Sequence, residues 1–230
     1  MKNITNEFKN YATKHRNLNT LTVEAVMKNQ NKGISPTNLT PHVVEERHMN
    51  IAIMSVFDRL MMDRIIWLGT GINDEIANVV QAQLLFLQSI DSKKDITVYC
   101  NSPGGSVLSG LGIISTMNLI SPDVATINTG MCASMAAVIL AAGCKGKRSA
   151  LKYARTMIHQ IMGGNEPGSQ LSDIKITTKF MEDLETDLYT ILSEGSYLSY
   201  EEVKIKSERD YWMRPEEALK LGFIDEILNK

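Results

Sequence analysis

The chain lacks the features that would mark a membrane, secreted or nucleic-acid-binding protein. Its most apolar stretch, residues 135–142, is too short to cross a bilayer. The N-terminal MKNITNEFKNYATKHRN has no apolar core of a signal peptide, so the expected location is cytoplasmic. A formal net charge of -2 over 230 residues gives no basic field for a nucleic acid or an anionic membrane. The three cysteines, Cys100, Cys132 and Cys144, are an odd number at no metal-ligand spacing. That excludes a disulfide framework and a structural zinc centre, and points to a reduced compartment. What is present is ordinary for a globular chain, 43% hydrophobic and 22% charged, except for thirteen methionines. Flexible thioethers suit adaptable packing or oligomer contacts, and a composition bias explains them equally well.

The length fits one α/β domain, or one domain plus an extension. Residues 1–50 are polar and weakly periodic, with Pro36 and Pro41 as breakers, and read as an N-terminal extension with a short helix. The compact domain is expected over 51–230. Strands are predicted at 64–68, 96–100, 124–129, 156–159 and 223–228, with helices between them. Asn73 and Asp74 cap the first of these helices, whose apolar face is Ile76, Val80, Leu84 and Leu87. Residues 135–142 are apolar on all sides and so form a buried helix. Repeated strand–helix units imply right-handed crossovers and a largely parallel sheet covered by helices. Residues 161–170 form a Gly-rich loop or hairpin. A long helix then carries one stripe of Ile174, Thr177, Met181, Leu184, Leu188 and Ile191. Packing of that stripe on another subunit and packing within its own domain both fit the pattern. A short helix over 215–221 has Pro at its first turn.

Ser134 falls where a strand passes into the buried helix, at the positive end of the helix dipole. Small neighbours leave room for a substrate backbone. This is the physical arrangement of a nucleophile elbow without the G-x-S-x-G string, and a simple helix cap fits as well. Of four histidines, His159 alone lies in the domain, at the end of a strand and before a Gly-rich loop. It is a base or a core histidine. Sites in parallel α/β sheets form at the C-terminal ends of strands, where this reading puts both residues. An orienting carboxylate is required next. Asp210 is a candidate, and residue pattern alone does not separate it from Asp123 or Asp225. The turn 101–105, Asn-Ser-Pro-Gly-Gly, can point unhindered N–H groups at a ligand, or can be a plain tight turn. Lys145 and Lys147 would serve a Ser–Lys pair, but they sit in a polar turn and His159 makes them unnecessary.

Together these pieces resemble the Clp protease family of proteolytic subunits. The matching strings are NSPGGS (101–106), GMCASMAA (130–137), AAGCKGKR (141–148), MIHQ (157–160), ERDYWM (208–213) and PEEALKLGFIDEI (215–227). They run in family order and cover roughly residues 52–228. The resemblance implies a crotonase-like α/β fold with a protruding handle at 161–192. It implies Ser134 as nucleophile, His159 as base, Asp210 as third member, and backbone N–H groups of Gly105 and Met135 as the oxyanion hole. It implies that Arg209 pairs across a contact between two stacked seven-membered rings, and that a Gly-rich strand of the handle holds extended substrate. The N-terminal extension resembles a region that is trimmed or lines an axial pore. An AAA+ unfoldase of the ClpX or ClpA/ClpC type would hydrolyse ATP and deliver unfolded protein. This chain has no P-loop and is expected to hold neither cofactor nor metal.

Four residues depart from the family pattern. Cys100, Cys132, Lys152 and Ile161 stand where an aliphatic residue, Ala or Gln, Pro, and Pro are usual. They are expected to cluster on the substrate side of the triad and to alter specificity. They suggest a divergent second copy of the subunit working in mixed rings. Two further readings stay open at this level: a ring member serving assembly alone, and an acyl-CoA hydratase or isomerase on the same fold.

Overall fold

The computed structural model describes residues 42–47, 50–164 and 166–229. The expected extension over 1–50 lies outside the described residues apart from 42–47 and 50. The chain divides into two units, 1–63 and 64–230. In the first, β1 (His42–Arg47) and β2 (Asn50–Ser55) pair antiparallel. The helix α1 (Val56–Met62) follows, started by a capping box: Ser55 Oγ accepts from the Asp58 N–H, and the Asp58 carboxylate accepts from the Ser55 N–H.

The second unit is built on a mostly parallel sheet. Its strands β3 (Ile65–Leu68), β4 (Ile96–Ser102), β5 (Val124–Ala133), β6 (Arg148–Leu151) and β9 (Glu226–Leu228) lie side by side in that order. β5 is ten residues long and has two partners beyond β4. Residues 126–128 pair with β6, and residues 131–133 pair with β7 (Arg155–Ile158). β7 in turn pairs antiparallel with β8 (Tyr211–Met213). The strand forks between these two pairings. Buried Asn128 holds the fork, donating from Nδ2 to the Arg155 carbonyl at 2.9 Å and to Thr156 Oγ1 at 3.1 Å.

The predicted helices form where their signals lie. α2 (Asp74–Ile90) is capped by Asn73 Oδ1, which accepts from the Ile76 N–H, and it buries Ala77, Val80, Leu84 and Leu87. α3 (Val107–Leu119) follows the NSPGG turn, and α4 (Met135–Ala141) is buried along its whole length. Of the loop and hairpin readings of 161–170, the loop fits: the described residues there belong to no strand. α5 (Leu171–Glu194) is the long helix, and it buries only Leu188, Tyr189 and Leu192, all near its C-terminus. α6 (Tyr200–Ser207) and α7 (Pro215–Lys220) complete the unit.

Among the described residues, one charged side chain is wholly inside. Arg148, 2% exposed, donates from Nε and Nη2 to the Asp225 carboxylate at 2.9 and 2.6 Å. Asp225 also accepts from the Gly146 N–H at 2.7 Å. Burial pushes the Asp225 carboxyl up, but the bonds and charge of Arg148 outweigh it and hold it below the usual carboxylate range. Such a pair contributes fully above the unfolded carboxylate value of about 4. Its contribution is lost as pH falls through the lower folded value. The melting midpoint of the wild type is therefore expected to drop steeply below about pH 4. Asp225→Asn should start lower and lose less with acid, because breaking a buried pair costs about 3–5 kcal/mol. Differential scanning fluorimetry across pH checks this; parallel acid profiles for the two proteins would refute it.

Candidate active site

Ser134 stands between the end of β5 and the start of α4, with φ 55° and ψ -130°. Its side chain makes no capping hydrogen bond, so the helix-cap reading fails. A non-glycine residue at positive φ is strained, and such strain collects at functional turns. The turn is pinned from below, where the Ser134 N–H donates to the Met157 carbonyl at 2.8 Å. That bond continues the parallel pairing of β5 with β7, in which Ala133 faces Met157. Ser134 is thereby set beside the end of β7, where His159 follows Ile158.

The β7–β8 register bears on the third residue. Thr156 pairs with Met213, Met157 with Trp212 and Ile158 with Tyr211. The ladder ends there, with His159 the residue immediately after Ile158 and Asp210 the residue immediately before Tyr211. The two competing carboxylates are engaged elsewhere: Asp123 with Lys147 at 2.9 Å, and Asp225 with Arg148. Gln160 Nε2 donates to the Glu208 carbonyl at 2.8 Å, tying the segment after His159 to the segment before Asp210. Asp210 is exposed, and in the single chain Ser134, His159 and Asp210 make no side-chain hydrogen bonds with one another. Catalytic hydrogen bonds are commonly long before substrate or partners tighten them.

The NSPGG turn packs directly onto this elbow. Asn101 Oδ1 accepts from the Met131 N–H at 3.0 Å, and Ser102 Oγ accepts from the Gly104 N–H at 3.1 Å. Gly104 has φ +90°, and a Cβ there would lie 2.6 Å from the Ala133 carbonyl oxygen, 2.7 Å from Ser134 Cβ and 2.9 Å from the Met135 nitrogen. Gly105 has φ +149°, and a Cβ there would collide with the Ile72 backbone, to which the turn is bridged. Only glycine permits both approaches. Among the described residues the Gly105 and Met135 N–H groups donate to no backbone acceptor. Two uncommitted backbone donors thus belong to the NSPGG turn and to the residue after the serine.

A cleft opens over these groups. Gly105, Ser134, Met135 and His159 line it, with Val138 of α4, Ile158 of β7 and Leu188, Tyr189 and Leu192 of α5. Asp210 and Arg209 are not among its lining residues, and both are exposed. The α5 residues are additions to the predicted site. Leu188 belongs to the predicted stripe, whereas Tyr189 and Leu192 sit one residue round from it. The Tyr189 ring is fixed by its hydroxyl, which donates to Glu185 Oε1 at 2.9 Å, and by edge contact with Tyr200.

The four departures do not cluster as expected. Ile161 lines the cleft. Cys100 and Cys132 are wholly buried between β4 and β5, with Cys132 Sγ 3.7 Å from the Cys100 carbonyl. Burial, foremost, pushes the Cys132 thiol up, which keeps it inert. Lys152 lies in a different cleft with Tyr153 and Leu228. Cys132 is turned into the core, and the chain leaves extended geometry at Ser134 (φ 55°), so proximity in sequence did not mean proximity to substrate.

Fold and site together define an α/β protein with a serine elbow after β5, a histidine after β7 and a carboxylate before β8. The chain belongs to the Clp protease family, whose sequence profile matches residues 47–230. It is similar to the ATP-dependent Clp protease proteolytic subunit of Bacteroides fragilis, 53% identical over 224 residues, covering 97% of this chain and 99% of the relative. The subunit of Porphyromonas gingivalis is 53% identical over 225 residues, with 98% of each chain covered. Subunit 1 of Prochlorococcus marinus is 46% identical over 192 residues, covering 84% of this chain and 97% of the relative. Among the described residues no helix is long and apolar enough to cross a membrane.

Proposed function

We propose that this chain is the proteolytic subunit of an ATP-dependent Clp protease, a cytoplasmic serine-type endopeptidase acting on unfolded protein. The observation that carries the reading is the common support of the three residues. Ser134 follows β5, His159 follows β7 and Asp210 precedes β8, and these three strands are paired in sequence β5–β7–β8. In the reaction His159 takes the Ser134 hydroxyl proton as Oγ attacks the scissile carbonyl, then gives it to the leaving amine. The Asp210 carboxylate holds the imidazole and balances its charge. The Gly105 and Met135 N–H groups donate to the tetrahedral oxyanion. Water, deprotonated by His159, then releases the acyl group and restores Ser134.

Self-association into two stacked seven-membered rings is part of the proposal. Large apolar side chains stand exposed along α5, at Leu171, Ile174, Ile176 and Phe180, and along α2, at Val79, Phe86 and Ile90. Such surfaces are the kind that a second subunit covers. The α5 set is assigned to the contact between rings, where Arg209 pairs. An AAA+ unfoldase spends ATP and feeds the chamber. The test is labelling by a fluorophosphonate probe together with hydrolysis of a short fluorogenic peptide by the assembled chain. Labelling confined to Ser134 is expected, with folded protein degraded only when a cognate unfoldase and ATP are added. An assembled wild type that neither labels nor cleaves would refute the proposal in favour of an assembly-only subunit.

A further inference from the structure

We propose that Arg148 is a positioning residue that sets the width of the cleft beside Ser134, by tying the ends of two helices to one guanidinium. The inference rests on the reading of Ser134 as nucleophile and of the cleft as the place for the substrate side chain. Arg148 stands at the start of β6, outside the cleft. Beyond the two bonds to Asp225, its Nη1 donates to two backbone carbonyls, Ala141 at 3.2 Å and Gly195. Ala141 is the last residue of α4, and Gly195 is the C-cap of α5. Both are helix-end carbonyls that lack an intrahelical partner and need a donor.

These two helices supply part of the apolar wall of the cleft, beside Val107, Ile158, Ile161 and Met162. α4 supplies Met135 and Val138, and α5 supplies Leu188, Tyr189 and Leu192. Val138 is three residues before Ala141, and Leu192 is three residues before Gly195, so each tether acts about one helical turn from the wall it holds. The α4 end has a second anchor, since Thr126 Oγ1 donates to the Leu140 carbonyl at 2.8 Å. For the last turn of α5, the Arg148 bond is the polar link to the sheet. Space between the two ends is fully used. A Cβ on Gly195 would lie 2.6 Å from the Ala141 oxygen and 3.1 Å from its Cβ. The planar fork of arginine can hold Asp225 on one side and two carbonyls on another, which a single ammonium cannot reproduce. Small changes in the gap between α4 and α5 then decide which side chain fills the cleft.

Three variants of the full-length assembled chain test this: Gly195→Ala, Arg148→Lys and Asp225→Asn. Gly195→Ala is a wedge that leaves Arg148 and Asp225 intact, and at φ -83° alanine itself is unstrained there. The measurement is the ratio of kcat/KM for matched peptides with leucine or alanine before the scissile bond, taken well below each melting midpoint. Gly195→Ala and Arg148→Lys are expected to lower that ratio by about tenfold, the scale of a pocket that no longer fits its side chain. Asp225→Asn, which keeps both carbonyl bonds, is expected to lose melting temperature with little change in the ratio. A ratio that simply follows the fall in melting midpoint across all three would overturn the proposal, as would an unchanged ratio in Gly195→Ala. If Arg148→Lys does not fold, Gly195→Ala decides alone. Failure of the Ser134 reading is seen separately, as absent fluorophosphonate labelling of the wild type. In that case hydrogen exchange over residues 188–195 judges the tether: faster exchange in Gly195→Ala supports it, and unchanged exchange overturns it.

Discussion

Ser134→Ala is expected to lower kcat for peptide hydrolysis by roughly 10⁴–10⁶-fold while the protein folds and assembles as before. The size follows from the chemistry, since acyl transfer to Ser134 Oγ is the first covalent step and no neighbouring group can replace that oxygen. Cys132, the nearest thiol in sequence, is turned into the core and held protonated by burial. The small structural effect follows from the conformation. The hydroxyl caps nothing, and the wild type already places a non-glycine residue at φ 55°, so alanine adds no new backbone strain. Thermal midpoint and sedimentation should match the wild type. Peptidase activity above about one part in 10³ of wild type, after contaminating host protease is excluded, would remove Ser134 from its role.

Gly104→Ala is expected to be the next most damaging single change to the rate, at about 10²–10³-fold in kcat with a much smaller effect on KM. The added methyl would press on the Ala133 carbonyl, Ser134 Cβ and the Met135 nitrogen together, at φ +90° where alanine is itself strained. The NSPGG turn and the elbow must then separate, and the two donors cease to converge on one point. Donors aimed at an oxyanion act in the transition state, so the loss falls on kcat. Steady-state kinetics beside circular dichroism checks this. A Gly104→Ala enzyme with wild-type kcat would mean that the two N–H groups do not bind the oxyanion.

Local pattern carried much of the fold and part of the site. Asn73 as a cap, Pro215 at the first turn of α7 and the all-round apolar 135–142 each rest on short-range physics, and each reappears. What depends on distant pairing did not appear in the pattern. β8 is three residues long, too short to show alternation, and it pairs with β7 some fifty residues earlier in the chain. For that reason Asp210 could not be told from Asp123 or Asp225 by composition, whereas the structure pairs Asp123 with Lys147 and Asp225 with Arg148. Arg148 lies in GKR, a string that reads as an exposed polar turn because arginine is seldom fully buried. Its role depends on Asp225, 77 residues away. Ser199 and Glu202, by contrast, form a capping box legible in the string SYEE, and α6 was missed although its start signal was present. Tyr189 and Leu192 were missed because α5 turns its buried side only near its end, one residue round from the stripe that runs along the rest.

The fork in β5 has a consequence for engineering. On the proposed roles, the three reacting side chains are carried by one small subsheet, β5–β7–β8, whereas Met135, Val138, Leu188, Tyr189 and Leu192 of the cleft wall are carried by α4 and α5. Turnover and selectivity thus have different mechanical supports. Substitutions along α5 can retune which peptide is preferred and leave the reacting groups where they are. A laboratory search for new cleavage preferences has its most productive positions on that helix, and its least productive ones along the three strands.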